Sequence, residues 1–211
     1  MSSQRTRTTG GKTERVRGKS AVAQGERRER ILDATVSLAS SGGFDAVQMR
    51  EVAERADVAL GTLYRYFPSK IHLLVSALHR QLERANEASL KAGPIAGDTA
   101  ADRVINVLRE LGGGIGSDPH LTEALTRAFM FADSSVQQQI HEVGELLVAM
   151  LTRAFHPEDP QSTPEDVARS RVIADVWLAT LVGWVTGRRT LEDAIAHLEH
   201  AVRLLMSDSS A

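Results

Sequence analysis

Residues 47–70 read VQMREVAERADVALGTLYRYFPSK and contain the features that decide the fold. Apolar residues at three- and four-residue spacing predict two short helices, 48–56 and 59–67, joined by a tight turn at Asp57. Aspartate is one of the few side chains that tolerate the left-handed backbone of such a turn. The second helix combines small, hydroxyl and aromatic residues on its exposed side. A helical pair of this kind is typical of a segment that lies in the major groove of DNA, although helical hairpins also occur as plain scaffold.

The second helix of this pair supplies most of the side chains that we expect at DNA. Small residues at its start let the backbone approach the groove. Thr62 can donate to a phosphate or contact a thymine methyl group, and tyrosine hydroxyls can reach phosphate oxygens. Ser69 is predicted to cap the next helix, whose first N–H groups would form an anion site with Lys70. The predicted DNA contacts are Arg28, Gln48, Arg50, Ala59, Leu60, Gly61, Thr62, Tyr64, Arg65, Tyr66 and Lys70.

The remaining helices are predicted from hydrophobic periodicity and from capping residues. No alternating strand pattern occurs, so we expect an all-α protein with about nine helices. The first helix is expected to begin at Glu26 and to end at Gly42-Gly43. Gly93-Pro94 is the predicted domain boundary. Further helices are expected at 69–92, 102–117, 119–133, 136–155, 164–187 and 191–206. Four of these have predicted N-terminal caps, at Asp118, Ser135, Thr163 and Thr190.

Charge is distributed unevenly along the 211 residues. Residues 1–30 hold nine basic and three acidic side chains, so this end carries +6 within a chain whose net charge is −2. The remainder therefore carries −8, which indicates that nucleic acid would contact one end rather than the whole surface. Residues 1–25 contain almost no large apolar side chains and are predicted to form a disordered basic tail. Such a tail either reaches additional phosphates or stays in solvent.

Several classes of protein are disfavoured by the composition. No run of about 18 apolar residues occurs, so no membrane-spanning segment is predicted, and the basic N-terminus lacks the apolar run of a secretory signal. The absence of cysteine excludes disulfides and thiolate metal sites and fits a cytoplasmic protein. No nucleophile elbow, phosphate-binding loop or dinucleotide fingerprint is present, so we expect neither an enzyme nor a cofactor. His197 and His200 share a helix face without the carboxylates of a metal site, so no metal is predicted.

Three stretches resemble the TetR family of bacterial transcriptional regulators: RERILDAT (28–35), GGFDAVQMREVAERADV (42–58) and GTLYRYFPSKIHLL (61–74). The resemblance implies a helix-turn-helix DNA-binding domain over 26–90, built from three helices with 59–67 as the recognition helix. It implies an all-α effector-binding and dimerisation domain over 98–208. The usual function of the family is repression by a homodimer on a palindromic, double-stranded operator, which an effector releases.

Three positions of the motif depart from the family pattern. Polar residues that usually cap the first motif helix or face the DNA are replaced here by Gln48, Ala59 and Leu60. Gln48 is a weaker cap that can still donate to a phosphate or a base, and Leu60 can contact a thymine methyl group. We therefore expect these positions to be where the operator preference of this chain differs from that of its relatives.

The C-terminal half is similar to the cholesterol-catabolism repressors of the family, the KstR type, at LTEALTRAFMFAD (121–133), VIADVWLATLVGW (172–184) and AVRLL (201–205). That similarity implies a bulky steroid metabolite as effector, in the form of a coenzyme A thioester, and control of sterol or lipid catabolism genes. A straight-chain acyl thioester of fatty-acid metabolism would suit the same apolar surface. The other alternative is a small-molecule binding protein without a regulatory role.

Apolar residues of the C-terminal helices are candidates for an effector pocket or for ordinary core. The pocket candidates are Leu108, Leu111, Leu125, Phe129, Met130, Phe131, Leu147, Met150, Leu151, Trp177 and Leu181. Gly112-Gly113-Gly114 is expected to interrupt the helix at 102–117. The resemblance implies that the last two helices pair with their copies, so that two recognition helices lie ~34–36 Å apart. Candidates for this interface are Val176, Trp184, Val185, Leu198, Val202 and Leu205.

Overall fold

The computed structural model describes residues 10–156 and 162–207, with side chains described for 22–111, 118–156 and 162–207. Within these ranges the chain forms nine α-helices and no strand, which confirms the all-α prediction. The helices are α1 (Gly10–Ala46), α2 (Met49–Arg55), α3 (Leu60–Tyr66), α4 (Lys70–Ala92), α5 (Ala100–Ser117), α6 (Pro119–Met130), α7 (Gln137–Phe155), α8 (Pro164–Val185) and α9 (Leu191–Met206). None of the described helices is long and apolar enough to cross a membrane.

Helix α1 is longer than the sequence pattern predicts. Its backbone is helical from Gly10 rather than from Glu26, so residues 10–25 are helical where a disordered tail is expected. Residues 1–9 of that tail lie outside the described residues. Arg, Lys, Gln, Glu and Ala favour a helix without any buried face, and the described residues of this extension are exposed. The kink at the glycine pair agrees with the prediction, since Gly43 has a left-handed φ of 71°.

Helices α1 to α4 form the N-terminal part of the molecule, which we call the head. Val52 of α2 and Leu63 of α3 are fully buried in one core with Ile31 of α1. Asp57 has a φ of 53°, which confirms the left-handed turn between α2 and α3. Ser69 caps α4 as predicted, because its hydroxyl oxygen accepts a hydrogen bond from the His72 N–H at 3.3 Å. These contacts fix the orientation of α3 in the head.

The core of the head continues into the second domain. Ala124, Leu125 and Ala128 of α6 and Val143 of α7 belong to the same buried cluster as the apolar residues of α1 and α4. Burial of this surface holds α6 firmly against α1. A second apolar cluster joins α5, α7, α8 and α9. Helix α6 therefore lies between the head and the helices that surround the second cluster.

Capping residues define where the C-terminal helices begin. Asp118 caps α6 with Pro119 at its first position, and Thr163 forms a full capping box on α8, both as predicted. The Thr190 side chain accepts a hydrogen bond from a backbone N–H in the first turn of α9. The prediction for Ser135 is wrong. Asp133 accepts the hydrogen bond from the Ser135 N–H instead, and a 3₁₀ turn at Ser134–Val136 leads into α7.

Helix α5 and the segment before it close the second domain. The backbone of α5 is helical through Gly112–Gly114, so the predicted interruption is absent. Arg103 of α5 donates to the carbonyl oxygens of Ala154 and Phe155 at 2.8 and 2.9 Å, which satisfies the C-terminal end of α7. The same guanidinium donates to the Gly97 carbonyl oxygen at 3.3 Å and so anchors the connection between α4 and α5.

Candidate nucleic-acid interface and apolar cavity

Helix α3 presents an exposed face on the outside of the head. Leu63 and Phe67 are buried and fix the rotation of the helix about its axis. Because side chains four residues apart share a helix face, Tyr64 and Arg65, which lie off that face, point outward. Tyr64 is 46% exposed, and Arg65 is also exposed. Ala59 and Gly61 are exposed as well, whereas Leu60, Thr62 and Tyr66 are half-buried.

The half-buried residues of α3 are shared between the surface and the core. Leu60 and Tyr66 pack against the buried cluster of the head, so only part of each side chain is accessible. The Tyr66 and Phe67 ring centroids are 6.3 Å apart. Arg28 of α1 is exposed and places its guanidinium carbon 5.7 Å from the Phe67 ring centroid. Arg28 is therefore near the C-terminal end of α3, beside the predicted DNA-contacting surface.

Helix α2 begins without a side-chain cap. Gln48 makes no cap hydrogen bond, and its amide nitrogen instead donates to the Asp45 carbonyl oxygen at 2.9 Å. Gln48 and Arg50 are both exposed at the start of α2. The amide of Gln48 can exchange its local carbonyl partner for a phosphate oxygen at little cost, because the carbonyl is exposed to water.

Lys70 is directed toward the boundary between the head and α6. Its ammonium nitrogen lies 3.9 Å from the centroid of the Phe44 ring, a cation–π distance. Burial lowers the pKa of Lys70, and the nearby Arg127 guanidinium lowers it as well, whereas Asp45 and Glu123 raise it. The side chain is half-buried. In this structure Lys70 does not extend into the solvent beside α3.

A group of charged and aromatic residues joins the head to α6, and we call it the junction cluster: Phe44, Asp45, Lys70, Glu123 and Arg127. Glu123 accepts a hydrogen bond from the Phe44 N–H at 2.7 Å and one from Arg127 at 2.9 Å. Arg127 also lies 3.3 Å from the Asp45 carboxylate and places its guanidinium carbon 4.6 Å from the Phe44 ring centroid. Hydrogen bonding to Glu123 raises the pKa of Arg127. The cluster therefore connects the end of α1 with α6.

Apart from Lys70, the residues of the junction cluster are not predicted from sequence. Its only local signal is the four-residue spacing of Glu123 and Arg127, which is common on helix surfaces. The other partners are distant in sequence.

An apolar cavity of ≈490 Å³ lies between α4, α5, α6, α7 and α8. Of the predicted pocket residues, six line it: Leu111, Leu125, Phe129, Leu147, Trp177 and Leu181. Helix α4 contributes a wall that the sequence analysis missed, formed by Leu78, Gln81, Leu82 and Ala85. This wall could have been predicted from the apolar spacing of α4, because the apolar residues continue along the helix beyond those that pack in the core of the head.

Five predicted pocket residues lie away from the cavity, and their assignment is corrected here. Leu108, Met150 and Leu151 are buried in the second apolar cluster, where neighbouring helices cover them. Met130 and Phe131 are 45% and 57% exposed on the protein surface. Met130 is the last residue of α6 and Phe131 follows it, so both lie at the end of the helix whose middle forms the cavity wall.

The polar groups of the cavity lining are acidic or neutral. Glu110, Asp118 and Asp175 contribute carboxylates, and Gln81 and two threonines contribute neutral groups. No lysine, arginine or histidine is among the described lining residues. Both Asp118 oxygens have partners, the Leu121 N–H at 2.9 Å and the Ser40 hydroxyl at 2.5 Å. The cavity therefore favours an uncharged apolar occupant over an anion.

The predicted dimer-interface residues separate into two groups. Val202 is fully buried in the second apolar cluster and therefore belongs to the core of its own protomer. Leu198 and Leu205 pack against that cluster but are half-buried, so their place in a dimer surface stays a prediction. The α8 candidates, Val176, Trp184 and Val185, are half-buried. The apolar side chains that α8 and α9 expose most are Val172, Ile195 and Leu204, at 46%, 43% and 62%.

Family comparisons cover most of the chain. The model for the C-terminal domain of tetracyclin repressor-like proteins matches residues 97–205, and the model for bacterial regulatory proteins of the tetR family matches residues 31–77. The first match spans α5 to α9, and the second includes α2 and α3.

Curated relatives and a solved structure agree with these matches. The HTH-type transcriptional repressor KstR of Rhodococcus jostii (strain RHA1) is 51% identical over 191 residues, covering 90% of this chain and 88% of the relative. KstR of Mycobacterium tuberculosis (strain ATCC 25618 / H37Rv) is 48% identical over 189 residues, covering 90% and 84%. A TetR transcriptional regulator from Rhodococcus sp. RHA1 has a crystal structure that superposes with a TM-score of 0.78 at 32% identity, covering 89% of this chain and 99% of that one. The chain therefore belongs to the TetR family of bacterial regulatory proteins.

Proposed function

We propose that this chain is a homodimeric transcriptional repressor that binds a palindromic operator through α3 and dissociates when a bulky apolar effector enters the cavity. The observation that carries the proposal is the position of α6. Leu125 and Phe129 of this helix line the cavity, while Glu123 and Arg127 hold the head. The similarity to KstR repressors over most of the chain supports the regulatory role.

The proposed DNA-reading surface is the exposed face of α3 with its neighbours. Gly61 allows close approach of the backbone, and Thr62 and Tyr64 offer hydroxyl groups to phosphates or base edges. Arg65 carries a positive charge on the same helix. Arg28 lies beside the C-terminal end of α3, and Gln48 and Arg50 are exposed at the start of α2.

Dimerisation is proposed to use the outer faces of α8 and α9. Val172, Trp184, Ile195 and Leu204 leave apolar surface exposed on these two helices. One recognition helix contacts few base pairs, so two heads about 34–36 Å apart are needed to read a palindrome. A second copy of the chain would bury the exposed apolar side chains and set that distance.

The proposed effector is a steroid metabolite carried as a coenzyme A thioester. A cavity of ≈490 Å³ lies within the range of about 300–1,000 Å³ that is usual for small-molecule sites. Its apolar wall includes the wide side chains of Phe129 and Trp177, which suit a ring system. A thioester is uncharged at the acyl group, whereas a free acid would bring a carboxylate toward Glu110 and Asp175. The similarity to KstR repressors favours a steroid over a straight chain.

Release from DNA is proposed to follow from movement of α6. An effector that enlarges the cavity pushes on Leu125 and Phe129 and shifts the junction cluster on the opposite face of the same helix. The effector then stabilises a dimer whose recognition helices are wrongly spaced for the operator. Such an effect is a coupling free energy between two sites, typically about 1–3 kcal/mol.

DNA binding is tested by fluorescence anisotropy on the DNA upstream of the gene of this protein. Wild type is expected to bind there more tightly than to unrelated DNA of the same length. Tyr64→Ala is expected to weaken operator binding at least tenfold without loss of folded structure. Tyr64→Phe, the matched control, separates the contribution of the hydroxyl group from that of the ring. Undiminished binding by Tyr64→Ala would contradict the assignment of α3.

The effector is tested by adding ligands to the complex of protein and operator. Four probes are compared: a steroid acyl coenzyme A thioester, its free acid, stearoyl coenzyme A and stearic acid. Release by the steroid thioester alone is the expected result. Release by stearoyl coenzyme A alone would establish the fatty-acid alternative. Release by the free acids would contradict the argument from the acidic cavity lining.

A further inference from the structure

Lys70 occupies a position where a phosphate contact is expected, yet its charged group is already engaged inside the protein. The ammonium nitrogen lies 3.9 Å from the Phe44 ring centroid. The side chain is half-buried, and burial lowers the pKa of Lys70, so part of its hydration is replaced by protein. Withdrawing the ammonium toward a phosphate would break this contact and uncover the ring.

The Phe44 ring is itself held by α6. Its own N–H donates to Glu123 at 2.7 Å, and the Arg127 guanidinium lies 4.6 Å from the ring centroid. Two cations therefore share one aromatic ring. Their mutual repulsion is offset by two carboxylates, because Arg127 lies 2.9 Å from Glu123 and 3.3 Å from Asp45. The position of Lys70 thus depends on residues of α6.

The first turn of α4 is tethered to the second domain at another point. His72 places one ring nitrogen 3.1 Å from the Ser135 carbonyl oxygen, in the connection between α6 and α7, and the other 2.9 Å from the Ser69 hydroxyl. Only Phe67–Ser69 separate the end of α3 from the start of α4. Any shift of the first turn of α4 therefore moves the C-terminal end of α3.

We infer that Lys70 is a positioning residue, which holds the first turn of α4 against Phe44 so that α6 sets the orientation of α3, and that it does not neutralise an operator phosphate. This inference rests on the proposed DNA-binding function. The chemistry is a cation–π contact supported by carboxylates, at a point where the end of α1, α6 and the start of α4 meet.

The salt dependence of operator binding distinguishes the two roles of Lys70. Each lost phosphate contact makes the plot of log affinity against log salt shallower by about 0.9. Lys70→Met keeps the length and apolar stem of the side chain. We expect it to weaken operator binding about threefold to tenfold while the slope stays that of wild type. Arg65→Met, on the exposed face of α3, is the matched control and is expected to make the slope shallower.

A double-mutant cycle tests whether Lys70 acts through Phe44. Phe44→Leu removes the ring and keeps an apolar side chain. The double variant is expected to bind the operator no more weakly than Phe44→Leu alone, because both changes remove the same contact. Lys70→Arg keeps a cation on the ring and is expected to bind within about twofold of wild type. Should Phe44→Leu fail to fold, Arg127→Met tests the same ring from its other partner.

Two outcomes overturn the inference. One is a slope that becomes shallower by about 0.9 in Lys70→Met, which would make Lys70 a phosphate contact. The other is full additivity of Lys70→Met and Phe44→Leu in the cycle. Either result leaves the proposed function intact, because wild type still binds its operator. Failure of wild type to prefer the operator over unrelated DNA would instead contradict the proposed function itself.

Discussion

The head and the second domain use their apolar residues in opposite ways. The head closes its core completely around residues such as Val52 and Leu63, and its candidate functional residues are on the outside. The second domain leaves a cavity of ≈490 Å³ between its helices and α4, so its candidate functional residues are themselves part of the packing. Substitutions in the head can therefore separate stability from DNA binding, whereas substitutions in the second domain change stability and ligand response together.

The sharpest test of this contrast compares two adjacent residues of α3. Leu63 is fully buried, so Leu63→Ala is expected to destabilise the protein by about 2–5 kcal/mol through lost burial and a cavity. Tyr64 is 46% exposed, so Tyr64→Ala is expected to change stability by less than about 0.5 kcal/mol. Urea denaturation of both variants measures this difference. Equal destabilisation would mean that the head does not separate folding from function as described.

The boundary between the two regions is tested at Gly43. Its φ is 71°, and an added Cβ would lie 2.5 Å from the Glu123 carboxylate oxygen. Gly43→Ala is therefore expected to displace Glu123 from the Phe44 N–H and to cost about 1–3 kcal/mol of stability. Operator affinity should fall as well, because α6 loses the hydrogen bond between Glu123 and the Phe44 N–H that connects it to the head. Retained stability and affinity, measured by denaturation and anisotropy, would contradict a rigid junction.

Acid sensitivity is expected to come from the second domain, at the start of α8. Burial opposes ionisation of Asp166, but hydrogen bonds from the Thr163 N–H and hydroxyl and the nearby His156 lower the pKa of Asp166 below its usual range. The carboxylate therefore stabilises the fold above the unfolded-state pKa of about 3.9, and this contribution is lost as pH falls through the lower folded-state value.

This dependence on pH can be measured with two variants. Asp166→Asn is expected to flatten the loss of stability below about pH 4, because the ionised form is absent at every pH. Thr163→Ala, which removes the cap, is expected to cost about 0.5–2 kcal/mol near neutral pH. Denaturation curves across the acid range provide the comparison. If the free energy of unfolding of Asp166→Asn falls with decreasing pH as steeply as that of wild type, Asp166 is not the group responsible for the acid sensitivity.

The smallest expected effect concerns Gly144, which lines the cavity in the middle of α7. An added Cβ meets nothing within 4 Å, so Gly144→Ala is expected to stabilise the helix by about 0.5–1 kcal/mol. The new methyl group narrows the cavity, so more effector should be needed for half-release of the operator. Gly61→Ala, also in open space but on α3, is the control for helix stability without the cavity. An unaltered effector response would place the ligand away from α7.

The sequence was sufficient to predict α2, α3 and α4 and the class of the protein, because the signals there are local. Periodicity and a turn residue define α2 and α3, and the outward face of α3 follows from where Leu63 and Phe67 lie. The lining of the cavity could not be obtained in this way. Leu108 and Leu111 are one helical turn apart on α5, yet one is buried among neighbouring helices and the other lines the cavity. Whether Leu108 or Leu111 lines the cavity depends on how five helices pack together.

The contacts of Lys70 could not be predicted for a related reason. Sequence places it at the start of α4, where the end of the helix favours an anion. Its partner Phe44 precedes α2 and α3 in the chain, whereas Lys70 follows them. The residues that hold Phe44 come from α6. Local spacing carries no information on such a meeting of three distant segments. Nor does local spacing show that Val202 of α9 is buried in the core of its own protomer.

The continuity of one apolar core across the domain boundary limits how the molecule can be recombined with its relatives. A chimera that kept α1 to α4 and took everything else from another regulator would have to match the surface now covered by Ala124, Leu125 and Ala128. A fusion point at Gly93-Pro94 would therefore separate α6 from the helices of the head with which it shares a core. A transplantable head that keeps its core intact therefore has to include α6 together with α1 to α4, five helices in all.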